Sequence, residues 1–276
     1  MFDRSFAMLN KIMRFPGFRS KAFTMSYDDG AVFDERMLDV MNKHGIKGSF
    51  NICSGSISDP EQIVKRYAGH EVAVHGREHL ALARAVGADA VADILDDRRA
   101  LEKMFGRVIR GMAYADGSFS DDIVALLKML GFAYARTTQD TGRFDIPSDW
   151  LRLGATCHHT SPRLFEYTEN FLSADPNAVY ARYPLFFNVW GHSFEFDRMG
   201  NWELLDRLCN EIGGREDEIW YATTIEIYDY TKAYGSLIWS ADSSIVYNPT
   251  LIDIYMEYRR KNVFIPSGKI INISEV

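Results

Sequence analysis

Short apolar or β-branched runs that end in Gly, Asp or His alternate along this chain with longer stretches of helical periodicity. Lys21–Tyr27 (KAFTMSY) predicts a first strand and Phe33–His44 the helix behind it, with Phe33, Met37, Leu38 and Met41 at helical spacing before Gly45. Strands are predicted at Lys47–Ile52, His70–His75 and Val108–Tyr114. Ala88–Phe105 predicts a long helix, its stripe of Val91, Ile94, Leu95 and Leu101 set against the charges of Asp96, Asp97, Arg98 and Arg99. Ser120 reads as the N-cap of a helix that reaches Leu130, with Gly131 as its stop. Further strands fall at Phe132–Thr137, Leu151–Cys157, Leu185–Trp190 and Ile219–Ile225, and helices near Leu164–Ser173, Trp202–Ile212 and Ile227–Tyr234.

Seven or eight such units over roughly 220 residues match an α/β fold closed as a (β/α) barrel better than a two-domain enzyme. From Ser236 to Val276 the helical rhythm stops, and SSIVYNPT, LIDIYMEYRR, KNVFIP and KIINI read as strands with turns at Asn248-Pro249 and Ser267-Gly268. The expected organisation is a barrel over 1–235 and a β-rich extension over 236–276 packed on it.

Composition then removes whole classes of function. With 47% hydrophobic and 25% charged residues the chain reads as a globular protein, and no run approaches the roughly 18 apolar residues a membrane helix needs. The first twenty residues lack an apolar core followed by a small-residue cleavage site and read as part of the fold. Three widely spaced cysteines, Cys53, Cys157 and Cys209, support neither a disulfide framework nor a thiolate zinc site, and reduced thiols fit a cytoplasmic protein. A net charge of -7 disfavours nucleic acid, whose phosphates call for gathered Lys and Arg. A neutral or cationic small substrate is expected, with no membrane partner, and homo-oligomerisation stays open.

In a parallel barrel the chemistry sits where strands end. Four strands end unusually: Tyr27-Asp28-Asp29-Gly30, His75-Gly76-Arg77-Glu78-His79, Tyr114-Ala115-Asp116-Gly117 and Trp190-Gly191-His192-Ser193. His75 and His79, four apart, would lie on one side of a helical turn, close enough to share a metal ion. Asp28 and Asp29 cannot both point the same way, so one can ligate while the other faces the water beside the metal. Asp-Asp-Gly is also good β-turn chemistry, which accounts for the glycine and one aspartate but not for two carboxylates after a buried strand. Of the aromatics at these strand ends, Tyr114 and Trp190 are the expected pocket walls on which a sugar face could stack.

These residues carry a resemblance. Ser26-Tyr27-Asp28-Asp29-Gly30, the H-x-x-x-H of His75 and His79, and His192 at a late strand end lie in order over roughly residues 21–195. In this the chain resembles the polysaccharide deacetylase family, carbohydrate esterase family 4, which shares the NodB homology domain. The resemblance implies a distorted, TIM-like (β/α) barrel of seven or eight strands. It further implies one divalent metal, usually zinc, held by Asp29, His75 and His79, with Asp28 as base, His192 as acid and the backbone N–H of Asp116 as oxyanion donor. The implied activity is hydrolysis of the N-acetyl amide of a sugar or oligosaccharide, with a metal-bound water as nucleophile. Such roles suit amide hydrolysis, since the carbonyl is a poor electrophile and the departing amine needs a proton that an imidazole can supply. Glu195 could orient His192.

The chain departs from the family where many members carry R-x-P-x-G, for here the stretch is Ala113-Tyr114-Ala115-Asp116-Gly117. The family arginine orients the base, so either another group, Arg110 or Arg136, orients Asp28, or the base is less well tuned and the substrate differs. In Thr156-Cys157-His158-His159, strand alternation lets one histidine face the barrel, and a buried, satisfied histidine is expected there. Two further readings follow from the departure: a hydrolase of a non-sugar amide, ureide or acetylated polyamine, and a carbohydrate-binding homologue that has lost turnover.

Overall fold

The computed structural model describes residues 11–85, 87–175 and 183–274. The first ten residues, read from sequence as part of the fold, and the last two of the C-terminal extension lie outside the described residues. At the centre is a parallel sheet: β2 (Lys21–Asp29), β3 (Gly48–Ile52), β4 (Glu71–Val74), β5 (Gly111–Ala113) and β6 (Tyr134–Asp140) pair in sequence order, and β9 (Leu185–Gly191) returns to the free edge of β2. The segment between β6 and β9 closes the ring. Its first strand, β7 (Leu153–Ala155), pairs with β6, and its second, β8 (Cys157–His158), pairs with β9, so one short stretch joins both ends of the sheet. β10 (Ile219–Tyr221) pairs with the start of β2 at Lys21–Phe23, below the point where β3 joins at Met25. The distorted barrel read from the sequence is therefore present, and its distortion lies at these split and shared edges.

Helices α1 (Asp34–Lys43), α3 (Gly87–Phe105), α4 (Asp121–Met129), α5 (Leu164–Ser173) and α7 (Trp202–Ile212) wrap the sheet. Together with the strands they enclose the main core, where Phe23, Met37, Phe50, Ile94, Leu127 and Leu205 pack. Two helices escape the periodicity reading because they are only seven residues long: α2 (Pro60–Arg66), started by Asp59 and Pro60, and α6 (Ser193–Met199). The predicted strand Ile219–Ile225 stops at Tyr221, because Thr223 and Glu226 form a reciprocal cap that starts α8 (Thr224–Gly235). The predicted strand Val108–Tyr114 contracts to Gly111–Ala113, and Leu151–Cys157 divides into β7 and β8 at the closure.

Past Gly235 the chain is β-rich, in two three-stranded antiparallel sheets. One joins β11 (Ile238–Trp239), β12 (Ile245–Tyr247) and β15 (Ile270–Asn272); the other joins β1 (Lys11–Arg14), β13 (Ile254–Tyr258) and β14 (Lys261–Ile265). The N-terminal strand, assigned from sequence to the barrel segment, thus belongs to the extension's sheet, since its apolar Ile12 and Met13 are buried there beside Met256 and Tyr258. A second core forms where Phe15, Ala22, Phe186 and Ala222, at the starts of the barrel strands, meet Ile227 and Tyr230 of α8 and Val246, Met256 and Val263 of the extension. The extension therefore closes the N-terminal end of the barrel and leaves the C-terminal end open.

Candidate metal centre

The C-terminal ends of β2, β4, β5 and β9 bring the strand-end motifs together. Asp29 ends β2 with φ +76, a left-handed backbone that a non-glycine residue adopts at a cost of order 1–3 kcal/mol. That turn separates the two carboxylates. Asp28 stays inside the barrel, 3% exposed, while Asp29 turns to the half-open mouth. Asp29 Oδ1 lies 3.4 Å from His75 Nε2 and 3.6 Å from His79 Nε2. Three ligands at about 2.0–2.1 Å around a tetrahedral ion stand roughly 3.3 Å apart, so this spacing fits a divalent metal such as zinc. His75 is also prepared for ligation, because its Nδ1 donates to the Ala113 carbonyl at 2.9 Å and leaves the Nε2 lone pair facing Asp29.

His75 and His79 do not share a helical turn. The segment after β4 is a loop in which Gly76 takes φ +86 and His79 φ +55, and that reversal brings the two rings to 4.9 Å. The loop is held from α3. Asp97 accepts from the N–H groups of Ser54 (2.7 Å) and His75 (3.0 Å), and Asp93 accepts from the N–H of Glu78 (2.7 Å). A Cβ on Gly76 would meet Asp93 Oδ2 at 2.3 Å, so the close approach requires glycine. In the sequence pattern Asp97 falls among the charges opposite the apolar stripe. In fact Ala90, Asp93, Ile94, Asp97 and Leu101 form the buried stripe, and the spacing of the two aspartates within it was the available signal. Burial pushes the Asp97 carboxyl up to about 6.

Asp28 is fixed by partners from the barrel interior. Arg136 Nη2 donates to Oδ2, and Asn51 Nδ2 donates to Oδ1 at 2.9 Å. Burial would raise this carboxyl, but the Arg136 charge, then that of His75, outweigh it and hold Asp28 below its usual value. Of the two arginines suggested by the sequence, Arg136 orients Asp28, whereas Arg110 pairs with Asp229 on α8. Asn51 was not foreseen.

His192 approaches from β9, its Nε2 4.0 Å from Asp28 Oδ2. Glu195 Oε2 accepts from the His192 N–H at 3.1 Å and faces Nδ1 at 3.3 Å, which points Nε2 at the barrel mouth. Burial would lower the His192 pKa, but the hydrogen bond to Glu195 and the charges of Asp28 and Asp29 raise it. Buried Asp34, bonded to Tyr67 and Ser193, anchors the residue after His192.

The expected pocket walls are placed differently. Tyr114 is buried, stacks on Phe119 and donates to the Leu151 carbonyl at 2.8 Å, because the ring turns into the core rather than the mouth. Trp190 is 8% exposed, since alternation along β9 sends it into the barrel with Asn188. There it donates to Asp140 at 2.7 Å and lies under the Arg136 guanidinium at 4.5 Å. Asp116 stays exposed in a turn at φ +56, three residues beyond the carbonyl that holds His75. His159, just past the end of β8, is the buried member of its pair, but it is satisfied only in part: Nδ1 faces the Tyr27 hydroxyl at 3.1 Å while the buried Nε2 has no hydrogen-bond partner.

The sequence model of the polysaccharide deacetylase family matches residues 17–135. That span contains Asp28, Asp29, His75 and His79 and ends before His192, and the family resemblance holds across it. A chitooligosaccharide deacetylase from Bradyrhizobium sp. (strain ANU 289) is 25% identical over 140 residues, 49% of this chain and 61% of the relative. The chain thus matches about three fifths of that protein's length. Among solved structures, one from Mycobacterium smegmatis assigned as a polysaccharide deacetylase superposes with TM-score 0.59 at 19% identity, covering 81% of this chain and 94% of the other. Puue allantoinase superposes with TM-score 0.57 at 16% identity, covering 78% and 91%. At these identities the two structures speak for a shared fold.

Proposed function

We propose that this chain, a relative of the polysaccharide deacetylases, is a metal-dependent hydrolase that removes the acetyl group from an N-acetylated sugar or short oligosaccharide. One observation carries the reading. Three donor atoms with metal-ligand spacing, from Asp29, His75 and His79, adjoin a buried carboxylate and an imidazole that stand 4.0 Å apart. A divalent metal bound there would polarise the acetamide carbonyl and lower the pKa of water at its open position toward 7.

The chain's own residues supply the rest. Asp28, kept ionised by Arg136, takes the proton of the attacking water. The N–H of Asp116 is the proposed donor to the developing oxyanion. His192, its Nδ1–H held by Glu195, passes a proton from Nε2 to the departing amine nitrogen. The half-exposed Asp29 and His79 place the cluster at an open mouth that a sugar ring can reach. A chitooligosaccharide deacetylase among the curated relatives supports a sugar amide. Three buried free cysteines fit a reducing compartment, so soluble oligosaccharides are the proposed substrates.

Elemental analysis of the purified protein, paired with acetate release from N-acetylglucosamine oligomers, tests this. One divalent metal per chain is expected at the Asp29, His75 and His79 cluster, and His75→Ala should lose that metal together with turnover. Metal uptake by that variant equal to that of wild type would overturn the ligand set. Turnover of ureides or acetylated polyamines in place of sugars would move the substrate to the non-sugar class.

A further inference from the structure

Beside the proposed metal centre, on the far side of His192, stands a second cluster of which the mechanism above uses only Glu195. His158 Nε2 lies 3.1 Å and His159 Nε2 3.6 Å from the same oxygen, Oε2 of Glu195, and these three atoms all lie within 4.8 Å of one another. His159 is 1% exposed, and its Nε2 has no hydrogen-bond partner although it faces that carboxylate. An orphaned buried nitrogen aimed at a carboxylate is unusual, because such groups nearly always find a partner.

The His159 ring is already set for ligation, and the His158 ring becomes so once its proton moves from Nε2 to Nδ1. A metal-bound imidazole carries its remaining proton on the other nitrogen and donates it to an oxygen. His159 Nδ1 has the Tyr27 hydroxyl at 3.1 Å for that purpose, and His158 Nδ1 has Thr160 Oγ1 at 2.7 Å. The N–H of Thr160 also reaches His158 Nδ1, at 3.2 Å, and ligation through Nε2 would exchange that bond for the one to Oγ1.

We propose that His158, His159 and Glu195 form a second divalent-cation site, selective for zinc-like ions, whose occupancy withdraws Glu195 from His192. The oxygen that would bind the ion is the one that receives the His192 N–H and faces its Nδ1. An ion there competes with His192 for Oε2 and loosens the orientation of its Nε2. Excess zinc would then suppress turnover. That consequence rests on the proposed role of His192; the site itself does not.

Metal-free protein dialysed against zinc alone and analysed for bound metal decides the matter. Wild type should take up two zinc ions per chain, Asp29→Asn should keep the second site, and His158→Asn should keep only the first, with folding checked by circular dichroism. Thr160→Val, a half-step that spares the barrel, should weaken the second zinc about ten-fold through loss of the supporting oxygen. Should His158→Asn fail to fold, the Thr160→Val titration decides alone. Saturation of wild type at one zinc, or a second zinc of unchanged affinity in Thr160→Val, would overturn the proposal. Two zinc ions at saturation, with no acetate release even from protein loaded with a single zinc, would sustain this site while sinking the assigned activity.

Discussion

Asp28 shows most clearly how single residues set the chemistry. Its carboxylate is buried and has two fixed partners, Arg136 and Asn51. Arg136→Met leaves that charge unpaired, which costs about 3–5 kcal/mol in buried ion pairs. The Asp28 pKa is depressed in the folded chain, so the pair stabilises above the unfolded value near 3.9 and that stability is lost as pH falls through the folded value. In Arg136→Met the acid limb of kcat/KM should therefore move toward neutral pH and the rate should fall by about 10²-fold or more. An unmoved acid limb would show that Arg136 does not tune the base. Glu195→Gln acts on the opposite limb. Removing the carboxylate lowers the His192 pKa, so the alkaline limb, where the acid loses its proton, should move to lower pH, as a rate profile would read directly.

At the scale of elements, α3 is a positioning device as well as a core helix. Its buried Asp93 and Asp97 hold the loop that carries both histidines. Asp97→Asn cannot accept from both Ser54 and His75 without turning a donor toward one of them, which should cost about 1–3 kcal/mol. Metal affinity should fall about 10–100-fold although no ligand has changed. The carboxyl sits at about 6 when folded, above the unfolded value near 3.9. Its favourable contribution is thus complete below about pH 4 and declines as pH rises to about 6. Denaturant titrations across that window should be flatter for Asp97→Asn than for wild type; parallel slopes would contradict the assignment.

For the whole molecule, the two ends of the barrel divide the work. The C-terminal end carries the polar cluster, and the extension plugs the N-terminal end through the second core. Tyr230 joins the two bodies of structure: its hydroxyl donates to the Arg14 carbonyl and accepts from the N–H of Tyr255 at 2.9 Å. Tyr230→Phe should lower stability by about 1–3 kcal/mol through the stranded backbone groups. Because the change lies at the far end, bound metal per chain should stay at the wild-type value, and a loss of metal would show that the ends are coupled.

Much of this was legible in the chain. The βα rhythm, the β-rich tail and the motifs Asp28-Asp29, His75/His79 and His192 follow from local periodicity and from which polar residues end an apolar run, properties that neighbours in sequence determine. Two helices, Leu164–Ser173 and Trp202–Ile212, fall where the periodicity put them. The tertiary structure alone decided which groups serve those motifs. Arg136 reaches Asp28 across the barrel from a strand 108 residues away, Asp97 reaches His75 from a helix face that looked solvated, and β1 pairs with β13 near the other end of the chain. Ring closure likewise rests on one short segment that pairs at both ends. Burial and long-range pairing depend on how distant segments pack, so Tyr114 and Trp190 look like pocket walls in the sequence and become interior supports in the fold.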